Sequence, residues 1–385
     1  MRSLFIIFYR SVLLCVELLL RCIFFTYYAV VYLLVERPRW KSAAGHQVHF
    51  GTPQPTGLWC IFAVAQGRRV SQNLIAFLSC LKDAGYNVIL VNNGNLSREL
   101  ANNFLPYCHS VVERPRGGRD FGGYKWGTRA IRRFADAEHP VTQVIYCNDS
   151  VFVRPSALRQ SLERLRQLDD DFIGVTETFS PVYHLQSWFF AVSGRLFADP
   201  AFQEYWQNYR PLSYRLHCIK HGEIGLSRYC IGMGITPRLL YTQGGVIDIM
   251  FHGSLSETVD RLLGALGPLE YETLRDKIQQ ITFAEAGENA PMRSFLRHYV
   301  TESLGRSNTM NAANLILLRE TGFPFLKKDL VYRGRYLVTQ IDEVVGEWVG
   351  EDAAHEREIL GYFRARGSLR DLRSPTAMLA RIGVI

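Results

Sequence analysis

The stretch QVIYCNDS, from Gln143 to Ser150, is a short apolar run that stops at three small polar residues. Such a run predicts a buried strand that ends at the edge of a sheet. In open α/β sheets, ligands bind in the crevice beyond the carboxyl ends of the strands, so Asp149 would be placed for a metal or a phosphate. The alternative is that the Asn-Asp-Ser end is a turn that caps whatever follows.

Length and composition describe a globular protein. The chain has 385 residues, of which 48% are hydrophobic and 21% are charged, enough for one large domain or two ordinary ones. The net charge of +8 and the pI near 9.1 suit anionic partners such as nucleic acid, an acidic lipid surface or a phosphorylated small molecule. The eight scattered cysteines form no C-x-x-C pair, which argues against zinc and favours reduced thiols on the cytosolic side.

The first 35 residues are strongly apolar and predict a membrane-associated helix. Arg10, Glu17 and Arg21 interrupt the run and fall in one narrow stripe, which Tyr28 and Tyr32 continue. No small-residue cleavage site follows, so a signal peptide fits poorly. The helix either lies in the membrane interface with its stripe toward water or spans the membrane with its charges shielded by protein. A buried helix of the globular core is the third alternative.

Length and flanking charge bear on the depth and orientation of this helix. The segment Cys22 to Val35 has 14 residues, fewer than the roughly 20 needed to span, so a continuous span would contain Arg21. Basic residues follow the apolar run at Arg37, Arg39 and Lys41. By the positive-inside rule they place the rest of the chain in the cytoplasm, so we predict residues 1–41 to be a membrane anchor with a basic flank.

The body of the chain alternates predicted strands and helices. After a linker at 42–57, residues 58–65 predict a strand, Ser71 caps a helix that ends at Gly85, and residues 88–91 predict a second strand. This β-α-β opening predicts an α/β fold with a doubly wound, mainly parallel sheet and helices on both faces. The remaining divisions are a core at 58–250, a helical insertion or lid at 251–307, a C-terminal part of the core at 308–345 and a helical tail at 346–385.

A glycine-rich segment precedes the QVIYCNDS strand. Five glycines fall between Gly117 and Gly127, next to Arg119, Asp120 and Lys125. Glycines let a backbone approach a ligand closely, amides at a helix start attract phosphate, and Arg119 or Lys125 could neutralise it. The segment matches neither the P-loop nor the dinucleotide fingerprint, and a glycine-rich turn needs no ligand.

Further polar residues stand at the ends of other predicted elements. Glu177 ends one predicted strand, His184 begins an aromatic one, and Glu223 begins a short helix, where a carboxylate also has the ordinary role of stabilising the helix dipole. Since these ends gather at one edge, Asp149 becomes a candidate site residue rather than only a cap. Aromatic residues at helical spacing in 202–217 favour core packing over a sugar-binding platform.

Six motifs, in chain order, resemble the rhamnan synthesis F family: GRDFGGYKWG, YCNDSVFVRP, DFIGVTE, HLQSWFFAVS, GEIGLS and GFPFLKKDL. The resemblance covers roughly residues 58–245 and 308–335. That family consists of bacterial proteins of cell-surface polysaccharide assembly, related to glycosyltransferases of the GT-A type. The resemblance therefore implies a GT-A-like fold and a nucleotide-sugar donor.

The resemblance also implies a role for each candidate residue. GT-A enzymes hold Mg²⁺ or Mn²⁺ with an Asp-x-Asp at a strand end, and here Asn148 and Asp149 occupy that place with one carboxylate missing. Glu223 is similar to the general base for the acceptor hydroxyl, with Glu177 and His184 as substitutes. The residues that would contact the donor nucleotide are Gly117, Gly118, Arg119, Asp120, Gly122, Lys125 and Gln186.

These expectations combine into one hypothesis and two alternatives. A GT-A-like glycosyltransferase on the cytoplasmic face of the inner membrane would move a sugar, for example rhamnose from dTDP-rhamnose, onto a lipid-linked or growing polysaccharide, beside other polysaccharide-assembly proteins. The main alternative is a non-catalytic glycan-binding or assembly subunit with a degenerate glycosyltransferase fold, which the incomplete Asp-x-Asp supports. A nucleic-acid-binding function ranks third, because the chain has no recognisable module and no dense basic stripe.

Overall fold

The computed structural model describes residues 2–38, 47–65, 70–114, 116–135, 137–265, 290–305, 308–332, 335–350 and 352–366. Several predicted features lie outside the described residues. These are Arg39, Lys41, the first part of the linker, the middle of the predicted lid at 266–289 and the end of the predicted tail at 367–385.

The regular elements alternate along the chain much as the sequence predicts. The strands are β1 (Gln47–Phe50), β2 (Leu58–Val64), β3 (Asn87–Asn93), β4 (Ser110–Arg114), β5 (Gln143–Asn148), β6 (Val151–Val153), β7 (Phe172–Gly174), β8 (Glu177–Thr178), β9 (His184–Leu185), β10 (Phe189–Ser193), β11 (Arg238–Leu239) and β12 (Phe325–Lys327). The main helices are α1 (Arg2–Val31), α2 (Gln72–Asp83), α3 (Arg98–Phe104), α4 (Arg119–Phe134), α5 (Pro155–Arg166), α6 (Gly194–Ala198), α7 (Pro200–Asn208), α8 (Ile224–Gly232), α9 (Gln243–Met250), α10 (Leu255–Ala265), α11 (Ala290–Gly305), α12 (Thr309–Glu320), α13 (Val338–Val349) and α14 (Ala353–Arg366). A π-helical segment, Cys218–Glu223, leads directly into α8.

Eight strands form one sheet in the order β1-β4-β3-β2-β5-β10-β7-β11. The pairs β4·β3, β3·β2, β2·β5 and β7·β11 are parallel, whereas β1 and β10 run antiparallel to their neighbours. The predicted mainly parallel α/β sheet is thereby confirmed. The chain winds outward from β2 to β4 and returns to β5 on the other side of β2, so β2 and β5 flank the switch point at which such sheets place ligands.

Strand β1 lies inside the segment predicted to be a linker. It pairs antiparallel with β4, opposite Ser110–Glu113, and His49 Nε2 lies 2.9 Å from Glu113 Oε1. The side chain of Asn87 bonds to the backbone of Gln54, with its Oδ1 2.7 Å from Gln54 N. Residues 47–57 therefore belong to the edge of the sheet. A four-residue strand among glycines and prolines is too short to be recognised from its periodicity.

Side-chain capping marks the starts of α2 and α3, and the cap at Ser71 is the one that the sequence predicts. Ser71 Oγ accepts from Leu74 N at the start of α2, and Ser97 Oγ accepts from Leu100 N at the start of α3. The predicted aromatic strand from His184 is interrupted, because β9 pairs with β8 in a separate two-stranded sheet and the chain joins the eight-stranded sheet only at β10. The residues in that interruption, 186–188, line the candidate site described below.

Apolar side chains fill both faces of the sheet. One core cluster packs the sheet against α2, α5 and the helices from α9 to α14, and the other packs it against α4, α7 and α8. In the second cluster, Trp206 and Phe190 stack on Tyr146 with ring centroids 5.4 and 4.7 Å away. Trp206 is 1% exposed, so it is a core residue, as its spacing predicts.

The segments predicted to be a lid and a tail contribute to the core. Leu262 of α10 and Leu296 of α11 are fully buried in the first cluster, as is Ile359 of α14. Glu358 of α14 accepts hydrogen bonds from Ser71 Oγ at 2.6 Å and from Asn73 N at 3.0 Å. The described parts of both segments are thus packed elements of the body, and the tail is helical as far as residue 366.

Glycines let helix α4 lie very close to β2. A Cβ at Gly127 would lie 2.3 Å from Ile61 Cγ2, and one at Gly123 would lie 2.8 Å from Ala63 Cβ. Both distances are shorter than real Cβ contacts. Helix–sheet packing, rather than the approach of a ligand, accounts for these two glycines of the glycine-rich segment.

Gly127→Ala is expected to destabilise the protein by about 1–3 kcal/mol, because an added methyl in a filled core forces backbone shifts. Thermal unfolding followed by circular dichroism should show a lower Tm. The control is Gly361→Ala in α14, where a Cβ meets nothing within 4 Å. Helix propensity predicts a gain of up to about 1 kcal/mol for that control. A Tm for Gly127→Ala equal to or above that of the wild type would contradict the close approach.

Helix α1 carries a segment that is long and apolar enough to cross a membrane. Leu14–Glu36 has 23 residues and a mean hydropathy of 2.0, although core helices and signal sequences share these properties. Tyr28 stacks on Tyr214 at 5.5 Å, and Arg21 lies close enough to Tyr214 for their charges to interact. Two described side chains of the predicted polar stripe, those of Arg21 and Tyr28, thus face the body of the protein. Those of Arg10 and Glu17 are outside the described part.

Candidate functional site

A cavity of about 570 Å³ opens beyond the carboxyl end of β5. It lies at the switch point between β2 and β5, where the chain turns through Asn148, Asp149 and Ser150 into β6. The predicted site residues that line this cavity are Arg119, Asp120, Asn148, Asp149, His184, Gln186 and Glu223.

Asn148 fixes the turn that carries Asp149. Its Nδ2 donates to Asp120 Oδ2 at 2.9 Å, and its Oδ1 accepts from Ser150 N at 3.0 Å. Both ends of the amide are therefore used inside the protein, and the amide oxygen faces a backbone N–H. The predicted metal-binding role of Asn148 does not fit this geometry, because a cation would need that oxygen.

The Asp-x-Asp place has one carboxylate, that of Asp149. Partial burial raises the pKa of Asp149, and the positive charge of Lys328 opposes this effect. Partial burial also raises the pKa of Asp120, to which Asp149 adds further. Over the described ranges, no group of three or more His, Cys, Asp or Glu side chains is arranged to hold a metal ion. Asp149 is left as a single carboxylate beside a lysine.

Asn148→Asp is expected to cost about 1–3 kcal/mol of stability at neutral pH, because it replaces a donor with a carboxylate facing Asp120. The pKa of Asp120 is already raised, so the folded state binds protons more readily than the unfolded state, and stability falls as pH rises. The deficit should therefore shrink on acidification toward the ordinary carboxylate range. Denaturant titrations over a pH series would measure it. Asn148→Ala is the control, because it loses the hydrogen bond without adding charge. If the loss of stability in Asn148→Asp were as independent of pH as that in Asn148→Ala, this account would be contradicted.

Glu223 is the carboxylate of a polar cluster on another wall of the cavity. Its Oε1 accepts from Ser187 Oγ at 2.9 Å, and its Oε2 lies 3.6 Å from His184 Nε2. His184 Nδ1 donates to Val182 O at 2.8 Å, which directs Nε2 toward Glu223. Burial opposes ionisation, but His184, Lys327 and Ser187 outweigh it and lower the pKa of Glu223. Glu223 is therefore ionised at neutral pH, with 27% of its side chain exposed.

The backbone around Glu223 does not use its carboxylate as a helix cap. Glu223 ends the π-helical segment and precedes α8, but its side chain makes no capping hydrogen bond. Gly222 packs against Phe121, where a Cβ would lie 2.8 Å from the ring. Tyr205 Oη donates to His221 O at 2.9 Å. The segment is thus held by its neighbours, and the carboxylate of Glu223 faces the cavity instead of stabilising the helix start.

Two predicted candidates lie outside the cavity wall. Glu177 Oε1 accepts from Gln243 N at 3.0 Å, at the start of α9. Lys125 Nζ donates to Gln207 O at 2.8 Å and to Tyr209 O at 2.6 Å, and burial lowers its pKa to about 8. The Glu177 contact joins β8 to α9, and the Lys125 contacts join α4 to the end of α7. The roles predicted for Glu177 as a base and for Lys125 as a phosphate ligand are therefore not supported by their positions.

Gly117, Gly118 and Gly122 also face protein rather than the cavity. Gly117 donates its backbone N–H to Asn93 Oδ1 at the end of β3, and Gly118 donates to Ser213 Oγ, both at 3.0 Å. Arg114 Nη1 donates to Gly117 O at 2.7 Å, and a Cβ at Gly122 would lie 2.8 Å from Arg114 Nη2. These amides are not available to a phosphate, so their predicted donor contacts have no support in the geometry.

The C-terminal part of the chain supplies residues to which sequence analysis assigned no role. Strand β12 pairs with β6 so that Lys327 lies opposite Val151, and Lys328 N donates to Ser150 O at 3.0 Å. Both lysines line the cavity. The sequence motif GFPFLKKDL marks this segment as part of the family resemblance, but no neighbouring residue indicates which strand it pairs with. Other lining residues without a predicted role are Ser187, Arg215, Asn308, Asn311, Tyr362 and Arg366.

Several shielded polar atoms in the cavity wall have no hydrogen-bond partner within the described structure. They are Ser150 Oγ, Trp188 Nε1, Asn308 Oδ1 and Asn311 Oδ1. The amide nitrogen of Asn308 does have a partner, since Nδ2 donates to Gln186 Oε1 at 2.7 Å. An unmade buried hydrogen bond costs about 1–3 kcal/mol, so such atoms mark places where a polar ligand is expected.

Comparisons with known proteins find one family model that matches part of the chain and one similar protein. The model of the rhamnan synthesis protein F family matches residues 88–241. The uncharacterized protein y4gN of Sinorhizobium fredii (strain NBRC 101917 / NGR234) is 25% identical over 336 residues, which is 84% of each chain.

Two solved structures also match, both at low TM-scores. A mannosyltransferase from Pyrobaculum calidifontis in complex with GDP-Man and Mn²⁺ is 10% identical and covers 91% of this chain and 96% of its own, with a TM-score of 0.30. A glycosyltransferase involved in the glycosylation of the major capsid of PBCV-1 is 12% identical and covers 48% of this chain and 81% of its own, with a TM-score of 0.27. The fold assignment rests on the sheet order rather than on these scores. Five of the six motifs lie within residues 88–241, so the resemblance to the rhamnan synthesis F family is confirmed over that range.

Proposed function

We propose that this protein is a glycosyltransferase that binds a nucleotide-diphosphate sugar in the cavity beyond β5. The observation that carries the proposal is the placement of an ionised carboxylate, Glu223, in the same cavity as Lys327 and Lys328. Sugar transfer needs a group that accepts a proton from the acceptor hydroxyl and positive charge for the departing diphosphate. This cavity offers both.

Glu223 is the proposed general base. It takes the proton of the acceptor hydroxyl while that oxygen attacks the anomeric carbon of the donor sugar. The bond from this carbon to the diphosphate oxygen breaks, and the nucleoside diphosphate leaves with the bonding electrons. Such a single displacement inverts the anomeric carbon. Ser187 and His184 hold the carboxylate in place through the contacts described above.

Arg119, Asp120 and Gln186 remain the proposed contacts of the donor. All three line the cavity, and Gln186 is held by Asn308. Arg119 adopts a left-handed φ of 49°, which costs a non-glycine residue about 1–2 kcal/mol. Strained residues of this kind cluster at functional sites, which supports a binding role at the start of α4.

We also propose that helix α1 keeps the enzyme on the cytoplasmic face of the inner membrane. Large apolar side chains of α1 and of the turn after it are exposed, among them Leu19 at 62% and Leu34 at 72%. A lipid-linked or growing polysaccharide acceptor at that surface would then diffuse in the same plane as the enzyme. Other polysaccharide-assembly proteins are proposed partners there.

A transfer assay tests the proposal. Purified full-length protein would be incubated with a panel of nucleotide sugars that includes dTDP-rhamnose, with lipid-linked acceptor, in Mg²⁺, in Mn²⁺ and in chelator. We expect acceptor-dependent release of one nucleoside diphosphate. The alternative of a non-catalytic glycan-binding subunit predicts that no nucleoside diphosphate binds under any metal condition, while glycans still bind.

A further inference from the structure

We propose that Lys327 and Lys328, rather than a divalent cation, neutralise the diphosphate of the donor, so that the donor binds without metal. This inference rests on the proposed function, because it concerns the same cavity and substrate. The resemblance to GT-A enzymes implies instead that Mg²⁺ or Mn²⁺, bound at the Asp-x-Asp place, neutralises the diphosphate.

The backbone fixes the two lysines beside the Asn148–Ser150 turn. Strand β12 pairs with β6, which begins directly after this turn, and Lys328 N donates to Ser150 O at 3.0 Å. On the other side of β12, Asn314 Nδ2 donates to Phe325 O at 3.1 Å. The positions of the lysines therefore follow from strand pairing and are set before any ligand binds.

The charges of the two ammonium groups act on different acidic residues of the cavity. Lys327 Nζ lies 5.8 Å from the centre of the Trp188 ring, and its charge acts on both Asp120 and Glu223. Lys328 Nζ lies 4.9 Å from the centre of the Phe152 ring, and its charge acts on Asp149. Both lysines are half-buried, so their charges interact more strongly with an anion than they would in open water.

Two of the four unpartnered polar atoms in the cavity wall, Trp188 Nε1 and Ser150 Oγ, can donate to an anion. Trp188 is 2% exposed, lines the cavity and has no partner for Nε1 within the described structure. An indole N–H can only donate, so it fits a phosphate oxygen and not a metal ion. Ser150 Oγ, which is also unpartnered there, can donate to the same kind of oxygen.

The carboxylates near the Asn148–Ser150 turn also disfavour a metal ion. The amide oxygen of Asn148 accepts from Ser150 N, so Asp149 is the one acidic group of the Asp-x-Asp place. A divalent cation on Asp149 would lie near the ammonium of Lys328, and the two positive charges would repel each other. The charge of Asp149 acts on Lys328 instead, which keeps the lysine protonated more readily.

Calorimetric titration of the full chain with UDP, GDP and dTDP, in chelator and in Mg²⁺, tests the inference. We expect one of these nucleotides to bind in chelator with a Kd within about threefold of its value in Mg²⁺. Lys327→Ala/Lys328→Ala should weaken that binding by more than about tenfold, which corresponds to about 1.4 kcal/mol. Lys327→Arg/Lys328→Arg keeps the charge and should retain most of the affinity. Lys82→Ala, which removes a lysine outside the cavity, should bind as the wild type does.

The outcomes separate this inference from the proposed function. Binding that appears only with Mg²⁺ would overturn the inference and leave the proposed function standing. Unchanged binding in the double alanine variant, confirmed as folded by its thermal transition, would also overturn it. If none of the nucleotides binds under either condition, the proposed function itself is contradicted.

Discussion

Glu223→Gln is expected to lower kcat by about 10²–10⁴-fold, the usual contribution of a general base. Glutamine has nearly the same shape and its carbonyl oxygen still accepts from Ser187, but it cannot take a proton from the acceptor. The KM for the donor should change little, because Glu223 acts on the acceptor. Steady-state release of nucleoside diphosphate, with the donor found in the panel, measures both quantities.

Glu177→Gln is the matched control for this substitution. Glu177 was also predicted to be a base, but it lies outside the cavity wall and its Oε1 accepts from Gln243 N. A glutamine oxygen can keep that contact, so kcat should stay near the wild-type value. The role of Glu223 would be contradicted if Glu177→Gln lost activity and Glu223→Gln did not.

The pH dependence of the wild-type enzyme gives a second test of Glu223. Burial alone would raise its pKa, but His184, Lys327 and Ser187 lower it overall. A base must be unprotonated to act, so kcat/KM should hold as pH falls through the range where an ordinary glutamate would begin to protonate. Activity that is already lost near neutral pH would point to a different base.

Trp206→Ala is expected to destabilise the protein by about 3–5 kcal/mol, the usual cost of removing a buried aromatic side chain. Trp206 is 1% exposed and stacks on Tyr146, with ring planes inclined by 4°. The opposite hypothesis, a sugar platform on α7, predicts weaker glycan binding with unchanged stability. Denaturant unfolding separates the two.

Trp206→Phe is the control for this core substitution. It keeps an aromatic ring against Tyr146 and removes less volume, so it should cost clearly less than the alanine variant. An alanine variant with wild-type stability would contradict the core assignment of α7.

Much of the fold could be predicted because its signals are local. The Ser71 cap predicted the start of α2, and the apolar run from Gln143 predicted β5 and the polar turn that follows it. Strand β1 escaped prediction because four residues carry too little periodicity. The need for glycine at positions 123 and 127 of α4 could not be predicted for a different reason, since it is set by Ala63 and Ile61 on a strand far away in sequence.

The candidate site was predictable only in part for the same reason. Asp149 and Glu223 stand at element ends that the sequence marks, and the structure brings both to one cavity. Lys327 and Lys328 reach that cavity through the pairing of β12 with β6, which joins segments about 175 residues apart in the chain. Glu177 illustrates the converse, because a strand end alone does not tell which side of the edge a carboxylate faces.

The stretch from Gln143 to Ser150 therefore remains central to the account, but the role assigned to it differs from the predicted one. Asn148 and Asp149 were expected to hold a metal, and the geometry instead shows Asn148 tied to Asp120 and Ser150. The turn now places Asp149 beside Lys328 at the proposed diphosphate position.

A crystal structure of the protein soaked with the nucleoside diphosphate that binds best would test the central claim most directly. The account predicts that the diphosphate lies in the cavity beyond β5, in contact with Lys327 and Lys328 and within hydrogen-bond distance of Trp188 Nε1. A nucleotide bound elsewhere, for example in the separate cavity lined by Arg164 and Tyr241, would contradict it.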